Sequence, residues 1–173
     1  MRNYESLHIP GLLQTEEYAR AVVRGGLPMG SQQIDDRVQA RMQRQQVLTK
    51  DTPLKLWAIV DEAALRRLVG GVDVMRYQLK RLVSLMTEPN VTLQVIPYSA
   101  GTHAGMPGAF VLMDFADPMD TDLVYIDSAA GDLFLESDTD VSQYTMIFNN
   151  PRAVALRPDD SATLIAEVAS ETA

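Results

Sequence analysis

Cysteine is absent from this 173-residue chain, which excludes disulfides, thiolate nucleophiles and every metal site built on cysteine. Histidine is almost absent. His8 and His103 are the only two, and neither has the i, i+4 partner or the acidic cluster that a metal site needs. No apolar run approaches the roughly 18 residues of a membrane span, and no basic region leads into an apolar one at the start. A cytoplasmic protein with no membrane contact is expected. No serine stands in a Gly-x-Ser-x-Gly elbow, and no glycine-rich loop runs into Lys-Ser or Lys-Thr, so acyl transfer and phosphate cradling lack their signatures. Neither a metal nor a cofactor is expected. Asp61, Glu62 and His103 are the only residues from which an undetected hydrolase could be built. Consecutive carboxylates on a helix point in different directions, so Asp61 and Glu62 suit a helix start better than paired acid and base work.

What is present is a core. A hydrophobic content of 46% suits one domain with a helical extension. The net charge of −8 hides an asymmetry: Met1 to Arg81 holds 13 Lys+Arg against 9 Asp+Glu, and Leu82 to Ala173 holds 2 against 14. The halves therefore carry +4 and −12. An acidic chain as a whole is a poor nucleic-acid binder, because phosphate contacts need local positive potential. The halves form either two differently charged solvated surfaces or a basic half that meets an acidic surface on this chain, on a second copy or on a partner.

Thr15 to Arg24 reads as a short helix, with Thr15 as cap and Glu16 and Glu17 in its first turn. Gly25, Gly26 and Pro28 end it. A second helix follows over residues 32–49, capped by Ser31, with Ile34, Val38 and Met42 as a narrow apolar stripe. Beside that stripe run Arg37, Arg41 and Arg44, none of them three or four residues from Asp35 or Asp36, so local ion pairs do not consume them.

After Asp51-Thr52-Pro53, the run from Leu54 to Val60 reads as a buried strand with Trp57 inside it. A short helix from Asp61 to Leu68, a stop at Gly70-Gly71 and an amphipathic helix over residues 72–86 lead to a strand from Val91 to Ile96. Strand, helices and strand form a crossover, so the two strands are expected to be parallel. Strands over 109–115, 123–126 and 133–136 should form an antiparallel meander, with Asp117-Pro118 and Ala129-Ala130-Gly131 as turns. A helix over 140–149 should stop before Pro151, and Pro158 should open a final one. The expected class is α+β, a mixed sheet of about five strands, one parallel crossover pair plus an antiparallel meander, with packed helices. Residues 1–50 are expected to form an N-terminal helical arm and 51–173 the α+β regulatory or interaction domain.

Two segments could carry function. In the loop from Tyr98 to Gly108, the glycines Gly101, Gly105 and Gly108 let another surface approach the main chain, while Tyr98, Thr102 and His103 add polar handles. It serves either as a partner or ligand loop or as a plain connection. The segment Leu7 to Leu13 either docks on the domain or, through Leu12 and Leu13, joins an interface with Arg37, Arg41 and Arg44.

The stretch Pro10-Gly11-Leu12-Leu13-Gln14-Thr15-Glu16-Glu17-Tyr18-Ala19-Arg20 occurs together with Asp61-Glu62-Ala63-Ala64-Leu65, residues 91–98 and the loop 101–110. In that combination, running on through Ala155 and Ser161, it resembles the C-terminal domain of actinobacterial WhiJ-like, antitoxin-like regulators. These XRE-family proteins carry a helix-turn-helix ahead of that domain, which is catalogued as of unknown function. The family's Pro-Tyr-x-x-Gly-x-His-x-Gly pattern is matched at Pro97, Tyr98, Gly101, His103 and Gly105. The resemblance implies a non-enzymatic regulatory and protein-interaction domain, whose partner is a small acidic BldB-like protein, usually encoded nearby, or a second copy in a homodimer. DNA would be bound only through a helix-turn-helix, which the two helices before Asp51 do not make. The alternatives are a small-molecule sensor domain of a transcription factor and the hydrolase.

Overall fold

The computed structural model describes residues 1–26, 28–115, 117, 119–128 and 131–172. Among these, six strands form one mixed sheet: β1 (Arg2–Glu5), β2 (Leu56–Asp61), β3 (Val91–Ile96), β4 (Phe110–Met113), β5 (Leu123–Ser128) and β6 (Gly131–Leu135). Their order is β3-β2-β1-β4-β5-β6. The fold is α+β with the expected parallel β2–β3 pair and antiparallel β4–β5–β6 meander. The sixth strand is the one that the sequence does not announce. Arg-Asn-Tyr-Glu has no apolar run, yet β1 lies mid-sheet, parallel to β2 and antiparallel to β4. Asn3 is buried there because its amide donates to the Phe110 carbonyl at 3.2 Å.

Six α-helices accompany the sheet: α1 (Glu16–Arg24), α2 (Ser31–Gln45), α3 (Glu62–Arg66), α4 (Val72–Leu85), α5 (Asp138–Val154) and α6 (Pro158–Glu171). Thr15 caps α1 by accepting the Tyr18 amide, and Pro158 is the first residue of α6, both as expected. Gly30, not Ser31, is the cap of α2, and the Gln33 side chain accepts the Gly30 amide at 3.1 Å. The helix expected to stop before Pro151 continues through it, and Pro151 is buried. Pro118, Ala129 and Ala130, read as turn residues, lie outside the described residues.

Two cores flank the sheet. Leu56, Ala58, Val60, Val91, Leu93 and Val95 face Leu65 of α3, Met75, Leu79 and Leu82 of α4, and Ile165 and Val168 of α6. On the opposite face Tyr4, Ile59, Phe110, Leu112 and Val124 surround Phe148 of α5. Trp57 lies on that second face and is half-buried rather than enclosed. Its indole N–H donates to Gln94 Oε1 at 2.8 Å, and the Arg152 guanidinium lies 4.2 Å over its ring.

The segment before α1 docks on the first core. Leu12 and Leu13 are buried in a short 3-10 turn, so of the two roles open to them the docked one is observed, and they are not free for an interface. Four polar side chains clamp this segment. The fully buried Gln78 of α4 donates to the Leu13 carbonyl at 2.9 Å and accepts the Thr15 amide at 2.7 Å. Gln14 donates to the Ile9 carbonyl, Tyr18 Oη accepts the Ile9 amide, and Gln45 of α2 donates to the carbonyls of Gly11 and Gln14. The stretch Ile9–Thr15 leading into α1 is thus a hydrogen-bonded strap in which polar side chains, beside a single 3-10 turn, serve as partners of the main chain.

Candidate functional site

Strands β1, β2 and β3 run parallel and end at one edge of the sheet, the edge where α/β proteins place their ligands. Glu5 ends β1, Asp61 ends β2, and the loop from Pro97 follows β3. Asp61 caps α3 by accepting the Ala63 amide at 2.8 Å. Glu62 is buried, and it accepts the Arg66 Nε–H at 2.6 Å and the Tyr98 amide at 2.9 Å, which ties the loop to α3.

The loop starts with a 3-10 turn over Tyr98–Ala100 that ends on Gly101, at φ +68°, a backbone conformation that favours glycine. Gly105 is needed for a different reason. A Cβ there would lie 2.7 Å from Cζ of Tyr4 and 3.1 Å from Pro151, so only hydrogen fits between them. Gly108 shows neither constraint. Tyr98 and Thr102 are exposed. The Asn150 side chain accepts the Ala104 amide at 2.8 Å and pins the loop to α5.

His103 turns inward, its side chain only 2% exposed. Its Nδ1 accepts the Gly105 amide at 3.2 Å, which leaves the proton on Nε2, 3.6 Å from Asp61 Oδ2. The imidazole stands edge-on to the Tyr4 ring at 5.8 Å. Tyr4 is fully buried and its hydroxyl has no hydrogen-bond partner among the described residues. Burial raises the pKa of that hydroxyl, with Asp61 and Glu5 acting in the same direction, so it stays protonated. The Glu5 carboxyl is pushed up to about 7, first by burial, against the Asn3 amide that bonds it; Asp127 adds to the rise and Arg41 opposes it.

The structure therefore joins Asp61 and His103, two of the three residues that could serve a hydrolase. Each also has a structural task, Asp61 at the α3 cap and His103 at the loop amide. Glu62 is held by Arg66 and the Tyr98 amide instead. Among the described residues no group of three or more His, Cys, Asp or Glu could hold a metal ion. Tyr4 and Glu5 are the residues that sequence reasoning missed, because a polar four-residue strand gives no signal of lying mid-sheet. Tyr4→Phe is expected to raise stability by about 1 kcal/mol, since it removes a buried hydroxyl that forms no bond among the described residues. A loss of stability in urea unfolding would show that the hydroxyl is satisfied in solution.

The arginines of α2 divide. Arg41 turns toward the sheet edge, donating to Gln14 Oε1 at 2.8 Å, and burial lowers its pKa while Asp127 and Glu5 act against that fall. Its acidic surroundings are on this chain. Arg37 and Arg44 are exposed and make no ion pair among the described residues. Asp35 pairs with Arg20 of α1, and Asp36 accepts from Gln32.

The strap, the capped Asp61 and the His103 loop closing on Tyr4 all lie within the match of one family model. The chain belongs to the family described as Domain of unknown function (DUF5753). The match runs over residues 1–167. No curated protein and no solved structure matches the chain. The DUF5753 sheet, strap and loop all lie inside the matched residues, and no helix among those described is long and apolar enough to cross a membrane.

Proposed function

We propose that this chain is a non-enzymatic regulatory and protein-interaction domain of an antitoxin-like transcriptional regulator of the actinobacterial WhiJ-like, XRE-type group. It recognises a small acidic BldB-like protein and so modulates DNA binding by a linked helix-turn-helix. The observation that carries this reading is α2. This fifteen-residue helix buries only Val38, and it displays Arg37 and Arg44, seven residues apart on one face, on a protein of net charge −8. Cations left unneutralised on an acidic molecule suit an acidic partner, steering encounter and fixing register. The structural tasks of Asp61 and His103 support a non-catalytic role. The sensor alternative draws less support: the cleft of about 310 Å³ lined by Arg2, Leu56, Trp57 and Asn90 is open to solvent and lies at the far end of the parallel strands from the Gly101–Gly108 loop.

Light scattering of the chain mixed with the acidic partner across a salt series tests this. The complex is expected to weaken as salt rises, and Arg37→Glu with Arg44→Glu is expected to abolish it at low salt. Stability should change by less than about 0.5 kcal/mol, because exposed charges contribute little to folding. A complex indifferent to both salt and substitution would overturn recognition through α2.

A further inference from the structure

The two edges of the sheet are finished differently. At β3 the edge is covered at Val95, whose amide donates to Ser161 Oγ at 3.0 Å and whose carbonyl accepts the Leu156 amide at 2.8 Å, while the Gln94 side chain donates to the Leu156 carbonyl. At β6 the edge is bare. Among the described residues this strand pairs only with β5, in an unbroken register from Gly131 to Leu135, so alternate residues turn their N–H and C=O groups outward with no described strand beside them. It contains no proline, no lysine and no bulge, the usual devices that blunt an edge.

The neighbouring face is half-buried on β4 and β5 and becomes exposed at Phe134 of β6. Register places Val111, Met113, Leu123, Tyr125 and Phe134 on one face, and none of them belongs to either core. Phe134 is 55% exposed and Leu133, on the other face, 48%. Charge identifies the occupant. From Asp114 to Asp140 the chain carries nine acidic residues and no lysine or arginine, with Asp127 and Asp132 cross-strand neighbours on β5 and β6 and Glu136 just beyond. A second copy would bring these carboxylates against each other, whereas a cationic strand would neutralise them.

We propose that the β6 edge takes an extended segment of a partner protein, alternating basic and apolar side chains, as a seventh strand. Main-chain bonds along β6 supply the pairing, apolar side chains cover Leu133 on one face, and lysines or arginines meet Asp132 and Glu136 on the other, beside Phe134. The proposal rests on the β6 edge and not on the α2 arginines, of which Arg44 acts electrostatically on Tyr125 of β5.

The test uses a capped synthetic peptide of alternating lysine and valine, with an alternating glutamate and valine peptide as control. Hydrogen exchange of residues 131–135 and fluorescence anisotropy are followed. The lysine peptide is expected to slow exchange along β6 and to bind about tenfold more weakly at high salt, and the glutamate peptide is expected not to bind. Asp132→Lys with Glu136→Lys, both exposed, should reverse the preference while circular dichroism stays unchanged. Equal binding of both peptides, protection elsewhere than β6, or no protection at all would overturn the proposal. So would a doubled mass with β6 protected in the absence of peptide, which would assign the edge to a second copy. A chain that still binds the acidic partner through α2 but takes neither peptide would sink this inference alone.

Discussion

Replacing Gln78 with leucine is expected to cost about 4 kcal/mol. Gln78 is fully buried on α4, and both ends of its amide are used, one on the Leu13 carbonyl and the other on the Thr15 amide. Leucine fills the space but bonds neither group. Each buried backbone group left without a partner costs about 1 to 3 kcal/mol, and two are orphaned at once. The strap would loosen with them, exposing Leu12 and Leu13 and freeing the N-terminus of α1. Urea unfolding measures the loss as a lower midpoint, and hydrogen exchange should show residues 9–18 opening first. A change below about 1 kcal/mol would mean that water replaces the amide and that the strap is not held by it.

Glu5→Gln is expected to stabilise the protein at neutral pH and to do nothing in acid. The Glu5 carboxyl is raised from 4.5 to about 7 in the folded chain, chiefly by burial, and ionises near its ordinary value when unfolded. Below about pH 4.5 both states are protonated and the group is silent. Between about 4.5 and 7 the unfolded chain has released its proton while the folded one retains it, so stability falls as pH rises, and above that range the loss stays constant. The whole effect is at most about 3 kcal/mol, and glutamine, which keeps an acceptor for Asn3, removes it. Unfolding at a series of pH values should therefore give curves for parent and variant that meet near about pH 4 and diverge toward about pH 8. Parallel curves would show that the carboxyl is solvated. Functionally, this titration would change the charge beside Arg41 and Asp127, next to the strap that binds Arg41 through Gln14.

Local signals account for most elements. Thr15 before Glu16 and Glu17, Asp61 before Glu62, and Pro158 ahead of an apolar period mark helix starts through groups adjacent in the chain, and each is found where those groups place it. The apolar runs of β2 and β3 were legible for the same reason, as was the parallel crossover, because two helices stand between them. The spacing of Arg37, Arg41 and Arg44 correctly excluded local pairing with Asp35 and Asp36. It could not show that α2 would send Arg41 toward Glu5 and Asp127 and leave the other two in solvent.

By itself the sequence determined the α+β class, the meander, the charge asymmetry and a loop rich in glycine. Tertiary structure decided what those parts meet. Strand β1 exists because Trp57 and Leu112, 55 and 110 residues away from Arg2, offer it two partners, which no local pattern in Arg-Asn-Tyr-Glu encodes. The requirement for glycine at 105 comes from the Tyr4 ring, about a hundred residues earlier, and the meeting of His103 with Asp61 from two strand ends brought side by side. Which edge of the sheet stays open is likewise a property of strand order: Leu156 and Ser161 happen to fold back on β3, and nothing among the described residues folds back on β6. Secondary structure follows from neighbours a few residues apart, whereas edges, close approaches and buried charges are set by contacts that exist only once distant segments have packed.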